Sequence, residues 1–191
     1  VRARCEKKNM SSNTSIIRLY GDPVLRMKCR EVSSEDIHGD ISLWVNMMVK
    51  TMYENKGIGL AAPQIGLPKR IIVADIGSRE GLIVLINPMI LSSEGKEIME
   101  EGCLSLPGIH LDVKRAAKIF VKGLDEKGLD IELELSGLLA RVVQHEIDHL
   151  DGILIIDRVP HKRLKSIKDK LEEIKQLSAK NKNLWPQYAS R

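Results

Sequence analysis

At 191 residues the chain is long enough for one domain with a real core, and its 43% hydrophobic and 29% charged content is ordinary for a soluble globular protein. A formal net charge of +4 is too small to argue for nucleic acid, so no DNA partner is expected. Cys5, Cys29 and Cys103 fit a reducing compartment better than a disulfide framework, and no apolar run is long enough to cross a membrane.

Residues 1–14 read as a disordered tail or extension, polar and basic, without the apolar core of a secretory signal. A cloning remnant or an upstream extension with Met10 as the true start accounts for it. Arg2, Arg4, Lys7 and Lys8 also fit the stub of an organellar transit peptide, against which acidic Glu6 speaks. Residues 15–182 are expected to form a single catalytic domain, with 183–191 as a C-terminal tail.

Within the domain, Ile16 to Tyr20 is expected as a short strand ended by the turn signal Gly21-Asp22-Pro23. Asp40 is a good N-cap for a helix with Ile41, Trp44, Val45, Met48, Val49 and Met52 at helical spacing, stopped by Asn55-Lys56-Gly57. Gly57 to Gly66 is too apolar for an ordinary surface loop. Arg70 to Ile76 and Leu82 to Ile86 read as strands, the second closed by Asn87-Pro88, and Met89 to Ser92 and Glu97 to Met99 are weaker strand candidates. Val113 to Val121 and Leu129 to Leu135 form a hairpin-like pair. The second strand sets Leu129, Ile131, Leu133 and Leu135 against Asp130, Glu132 and Glu134, one face buried and one wet.

Ser136-Gly137 opens a helix apolar most of the way round, with Leu138, Leu139, Val142, Val143, Ile147 and Leu150, ended by Asp151-Gly152. It carries His145-Glu146-Ile147-Asp148-His149. Two histidines four apart project from one helical face and can grip one metal ion, and the glutamate between them can move protons on a metal-bound water. Two surface histidines on a solvated helix would look the same in a shorter extract. In a helix this apolar, however, buried imidazoles and a buried carboxylate need partners.

The third ligand is open on the residues alone. Ile155 stands where one class of zinc proteases has a third histidine, which excludes that class. Glu172 and Glu173 are at the right distance for a zinc endopeptidase with a downstream glutamate, although the lysine-rich terminal helix makes them look like solvated salt-bridge partners. Cys103, in Glu101-Gly102-Cys103-Leu104-Ser105, is an upstream candidate, while a lone cysteine is more often a small buried hydrophobe.

Three segments together, Gly57-Ile58-Gly59-Leu60-Ala61-Ala62-Pro63-Gln64, Glu101 to Ser105 and Gln144 to His149, carry a resemblance to the peptide deformylase family. Its motifs Gly-x-Gly-x-Ala-Ala-x-Gln, Glu-Gly-Cys-x-Ser and Gln-His-Glu-x-Asp-His are all complete and in order. The resemblance extends from about Ile16 to the terminal helix and includes Asp22-Pro23-Val24-Leu25-Arg26. It fits an α+β fold with antiparallel or mixed sheets packed around the buried helix that carries the His-Glu-x-x-His motif, plus an N-terminal-half helix and a C-terminal helix.

The resemblance implies that Cys103, His145 and His149 bind one divalent metal, Fe2+ in most of the family, with Zn2+, Ni2+ or Co2+ suited to the same ligands. It implies hydrolytic removal of the N-formyl group from formyl-methionine on newly synthesised polypeptides by a metal-bound hydroxide. Glu146 is then the proton carrier, and the Gln64 amide with the Leu104 backbone N–H forms an oxyanion hole. Gly57, Ile58 and Gly59 would pair with the peptide as an added strand. Ile58, Leu104, Leu138 and Val142 would line the methionine pocket, with Glu101 and Gly102 beside it. Arg115 is the expected partner of Glu101, and Asp148 is expected behind the ligands rather than on the metal. His38, His110 and His161 read as structural or solvated, with substrate contact kept open for His110. Cys5 and Cys29 take no role.

Lys162, Arg163, Lys165, Lys168 and Lys170 on the terminal helix are either a solvated face or a ribosome-docking surface, as in bacterial relatives. The bacterial cytoplasm is the expected location, or an organelle interior if residues 1–14 are a transit remnant. A catalytically silent module that binds peptide N-termini is the alternative from another class, against which intact Gln64 and Glu146 argue.

Overall fold

A computed structural model describes residues 17–181. The two terminal segments, 1–14 and 183–191, and Cys5 with them, lie outside the described residues. The fold is α+β. Strands β1 (Gly59–Ala61), β2 (Ile71–Ala74), β3 (Ile83–Glu94), β6 (Lys118–Leu124) and β7 (Asp130–Ser136) form an antiparallel sheet in the order β1-β2-β3-β6-β7. β4 (Glu97–Gly102) and β5 (His110–Arg115) form a separate two-stranded antiparallel sheet. Short helix α1 (Ser34–His38) precedes α2 (Ile41–Glu54), and α3 (Gly137–Leu150) carries the two histidines. α4 (His161–Lys165) and α5 (Lys168–Asn181) follow.

α3 packs its apolar residues Leu139, Ala140, Val143, Ile147 and Leu150 against Ala61, Ile72, Ala74 and Val121 of the five-stranded sheet. α2 presses Ile41, Val45, Met48 and Met52 into the other core cluster, so the Met-rich stripe is packing, as its helical spacing suggests. Both helix faces are buried because their apolar residues recur at three and four. Burying each such side chain contributes about 1.5–3 kcal/mol relative to leaving it in water. Asp40 stands at the start of α2 but its side chain makes no capping bond. The helix ends at Asn55, and Lys56 then turns with φ 55°.

Several expected boundaries move. Ile17 to Tyr20 joins no sheet among the described residues. Instead the Arg18 N–H donates to the Gln64 carbonyl (2.7 Å) and the Tyr20 N–H to that of Ser105 (2.9 Å), so the segment ties two loops together. β3 does not close at Asn87-Pro88 but runs on to Glu94. Asn87 adopts φ 51° as a bulge, and its side-chain amide accepts from the Val32 N–H (2.8 Å) and donates to the Val32 carbonyl (3.0 Å). Pro88, without an N–H, sits where the ladder is already interrupted. The run Val113 to Val121 divides: Val113 pairs with Met99 across β4–β5, whereas Val121 pairs with Leu133 across β6–β7. The terminal helix is broken after Lys165, and within α5 Ile174 is buried while Leu177 is exposed.

Candidate metal centre and active site

The second sheet delivers the cysteine. β4 ends at Gly102, and Cys103 opens a tight turn in which its carbonyl accepts from the Leu106 N–H (2.9 Å). This turn sets Cys103 against α3, where the spacing of four puts His145 and His149 on one face with ring centroids 5.1 Å apart. The ligand atoms of Cys103, His145 and His149 all lie within 4.8 Å of one another, and the Cys103 Sγ is 3.2 Å from His149 Nε2. One thiol and two imidazoles so converged, buried on α3 and open on one side, suit a tetrahedral ion with one free position. The downstream candidates Glu172 and Glu173 are exposed on α5 and lie outside this cluster.

Glu146 is buried, and among the described residues its Oε2 has no hydrogen-bond partner. Burial above all raises its carboxyl to about 7, the charges of Glu101 and Asp148 adding to the effect and those of His145 and Arg115 opposing it. Burial disfavours charge on His145 too, but bonds with Cys103 and Glu101 outweigh it and raise its pKa well above the ordinary value. Burial, then the charge of His145, pushes His149 the other way, towards the neutral form that binds metals.

Behind the ligands lies a buried ionic network. Arg115 donates to Glu101 through Nε (2.6 Å) and Nη2 (2.9 Å), as the expected pairing required, and through Nη1 to Asp148 (2.8 Å). His145 Nδ1 stands 3.0 Å from Glu101 Oε2, which leaves Nε2 for an ion. Burial costs Glu101 stability in its charged form, yet His145 and Arg115 hold its pKa down at about 2. Asp148 also accepts from Arg158 Nε (2.9 Å) and Nη2, so it braces arginines and is not in the ligand cluster.

Gln64 sits in a buried turn after β1. Its Oε1 accepts from the Ala61 N–H (2.8 Å), and Nε2 donates to Ser105 Oγ (3.2 Å) while standing 3.7 Å from the Cys103 Sγ. An amide nitrogen has two N–H groups: one goes to the Ser105 hydroxyl and the other to the Cys103 sulfur, a weak acceptor that an oxygen placed beside it can replace. Gly57, Ile58, Gly59, Gln64, Glu101, Gly102, Cys103, Leu104, Leu138, Val142, His145 and Glu146 line one cavity of about 540 Å³. His149 is 1% exposed and lies deeper. His110 lines the mouth of the cavity, exposed and 3.7 Å from Glu100, whereas His38 and His161 are exposed elsewhere.

Three further residues matter here, Arg141 outside every motif and Ser105 and Gln144 inside two of them without an expected role. Arg141 joins the network, with Nη1 donating to Glu101 Oε1 (2.7 Å). Ser105 holds Gln64. Gln144 clamps α3 to the β5–β6 connection, accepting from the Ala116 N–H (3.0 Å) and donating to its carbonyl (3.0 Å). The signal for Arg141 was available: a cation amid Leu138, Leu139, Val142 and Val143 needs a buried acid.

The fold and this site define a metal-dependent hydrolase built on a His-Glu-x-x-His helix with a cysteine supplied from a separate sheet. The polypeptide deformylase family model matches residues 14–165. A peptide deformylase of Thermodesulfovibrio yellowstonii is 54% identical over 151 residues, covering 77% of this chain and 90% of the relative. The crystal structure of peptide deformylase from Thermus thermophilus is 45% identical with a TM-score of 0.80, covering 85% of this chain and 98% of that one. A plant peptide deformylase structure, 35% identical, has a TM-score of 0.82 over 93% of this chain and 97% of its own. The chain belongs to the peptide deformylase family, metal-dependent hydrolases that remove the N-formyl group from nascent polypeptides.

Proposed function

We propose that Cys103, His145 and His149 hold one divalent ion, ferrous iron in the native protein, and that Glu146 and Gln64 complete the machinery for deformylating formyl-methionyl chains. The observation that carries this is the convergence of three ligand atoms within 4.8 Å beside a buried carboxylate whose Oε2 is unpartnered. When bound, the ion polarises the formyl carbonyl and acidifies a water molecule.

The chain's own groups do the rest. Glu146 accepts a proton from the attacking water at Oε2 and returns it to the leaving amine, for which a carboxyl near 7 is well matched. The Gln64 N–H that points at the Cys103 sulfur and the Leu104 backbone N–H meet the charge that grows on the formyl oxygen. Among the described residues β1 pairs with β2 alone, so its outer edge, together with Gly57-Ile58 leading into Gly59, is open to a peptide strand. Ile58, Leu104, Leu138 and Val142 give the methionine side chain an apolar wall, with Glu101 and Gly102 at its back.

The test is formyl-Met-peptide hydrolysis by anaerobically purified protein with its metal counted. Glu146→Ala should lose about 10²- to 10⁴-fold in kcat while keeping the ion. Cys103→Ala should lose the ion and the activity together. Hydrolysis surviving Cys103→Ala would sink the ligand assignment, and loss of metal from Glu146→Ala would sink the role of that glutamate.

On the same reading residues 15–182 act as one catalytic unit. The protein works in the bacterial cytoplasm, or in an organelle if residues 1–14 are a transit remnant. Sparse cysteines support a reducing compartment. No described helix is long and apolar enough to cross a membrane. Ribosome docking through Lys162, Arg163, Lys165, Lys168 and Lys170 is supported by their common exposure on α4 and α5. Reversing these five charges should abolish co-sedimentation with ribosomes at low salt. Unchanged co-sedimentation would remove the docking surface.

A further inference from the structure

The ligand set is divided between two parts of the molecule. His145 and His149 stand on α3, which packs on the five-stranded sheet, whereas Cys103 follows β4, whose strand partner among the described residues is β5 alone. The separation of sulfur and imidazoles therefore depends on what docks the β4–β5 pair on the helix.

Arg141 is placed to do this. It lies one helical turn before His145 and on the same face, and is 3% exposed. Its Nη1 donates to Glu101 Oε1 (2.7 Å) and to the Val113 carbonyl of β5 (2.8 Å). Its Nη2 donates to the Glu97 carbonyl at the start of β4 (3.0 Å). One planar fork thus holds three acceptors spread over both strands, a task a lysine point charge cannot perform.

Neutralising Glu101 does not require it. Arg115 already gives that carboxylate two bonds, and among the described residues the Arg141 Nε has no partner, so a second buried cation is kept at a desolvation cost. Arg115 of β5 also reaches Asp148 (2.8 Å), and Glu101 of β4 also reaches His145 (3.0 Å), but both bonds lie at the ligand end of the helix. The Arg141 guanidinium adds bonds to the backbone itself, at Glu97 on β4 and Val113 on β5.

We propose that Arg141 is a positioning residue for the metal centre. It docks the β4–β5 pair on α3 and so sets the separation of Cys103 from His145 and His149. The proposal rests on the ligand reading above.

The test uses the full chain with Co2+ as the probe. Affinity is measured by competition with a chelator, the Co2+ absorption spectrum is recorded, and the metal-free protein is melted as a control. Arg141→Met, which keeps the stem and loses the fork, should weaken Co2+ binding about 10- to 100-fold and shift the spectrum, with cooperative melting retained. Arg141→Lys keeps the charge but not the fork, and it should weaken binding comparably; it also serves if the methionine variant fails to fold. Wild-type affinity and spectrum in folded Arg141→Met, or full rescue by lysine, would overturn the proposal. Cys103→Ala should lose the thiolate-to-cobalt absorption and most of the affinity. If it bound Co2+ like the wild type, the ligand reading would fall, and the proposal with it.

Discussion

Gly59 is a glycine because α3 passes too close to β1 for any side chain. A Cβ there would stand 2.5 Å from Glu146 Oε1 and 2.6 Å from Val142 Cγ1. The family motif ascribes this glycine to peptide binding, and the packing gives it a second reason, the placing of the carboxylate. Gly59→Ala should therefore fold yet lose on the order of 10²-fold in kcat, since small displacements of a reacting group cost about that much; steady-state kinetics beside a melting curve would check it. The two described cysteines differ as sharply. Cys29 is buried, and burial above all raises its thiol to about 11. Iodoacetamide at pH 8 should then label Cys103 once the metal is stripped and leave Cys29 untouched until the protein unfolds, as peptide mass spectrometry would read out. Residue chemistry of this kind was partly legible beforehand. Cys103 stands out by its motif, while Cys29 too lies against α3, its N–H donating to the Leu150 carbonyl (2.8 Å). The distinction is that the Cys103 sulfur converges with the two imidazoles, which only the tertiary fold decides.

Among the elements, α3 is the best specified, since its apolar residues, its glycine start at Gly137 and its stop at Asp151-Gly152 agree with one another. β3 is the counterexample. Asn87-Pro88 reads locally as a stop, yet the strand crosses it because Asn tolerates positive φ and its amide is held by the Val32 backbone, fifty-five residues away. Asn87→Ala should lose both bonds and strain the backbone, lowering stability by about 1–3 kcal/mol in urea unfolding with little change in KM. β5 starts three residues before the expected Val113 for a related reason. Its alternation begins at His110, with Leu111, Val113 and Arg115 buried, and a buried arginine at the end of that pattern looks like a polar break until Glu101 is seen opposite.

For the molecule as a whole, the ionic network of Glu101, Arg115, Arg141 and Asp148 joins the two sheets through α3, and it is sensitive to acid. Glu101, at about 2 in the folded protein against an ordinary 4.5, binds its proton less readily than in the unfolded chain. Its contribution to stability is complete above pH 4.5 and is lost as pH falls towards 2. Denaturant midpoints measured between pH 6 and pH 3 should fall on the acid side, and Arg115→Met should flatten that fall while lowering the plateau. The sequence by itself determined the class of fold, the helix with its two histidines and glutamate, and, through three ordered motifs, the chemistry. Those features depend on local spacing and on side-chain type, which the chain displays directly. Tertiary structure alone decided that Arg141 belongs to the site, that Ser105 holds Gln64 and that Gly59 must be bare, and it brought the Cys103 sulfur to the imidazoles. Each of these depends on groups tens of residues apart meeting within a few ångströms, and no local pattern encodes such a distance.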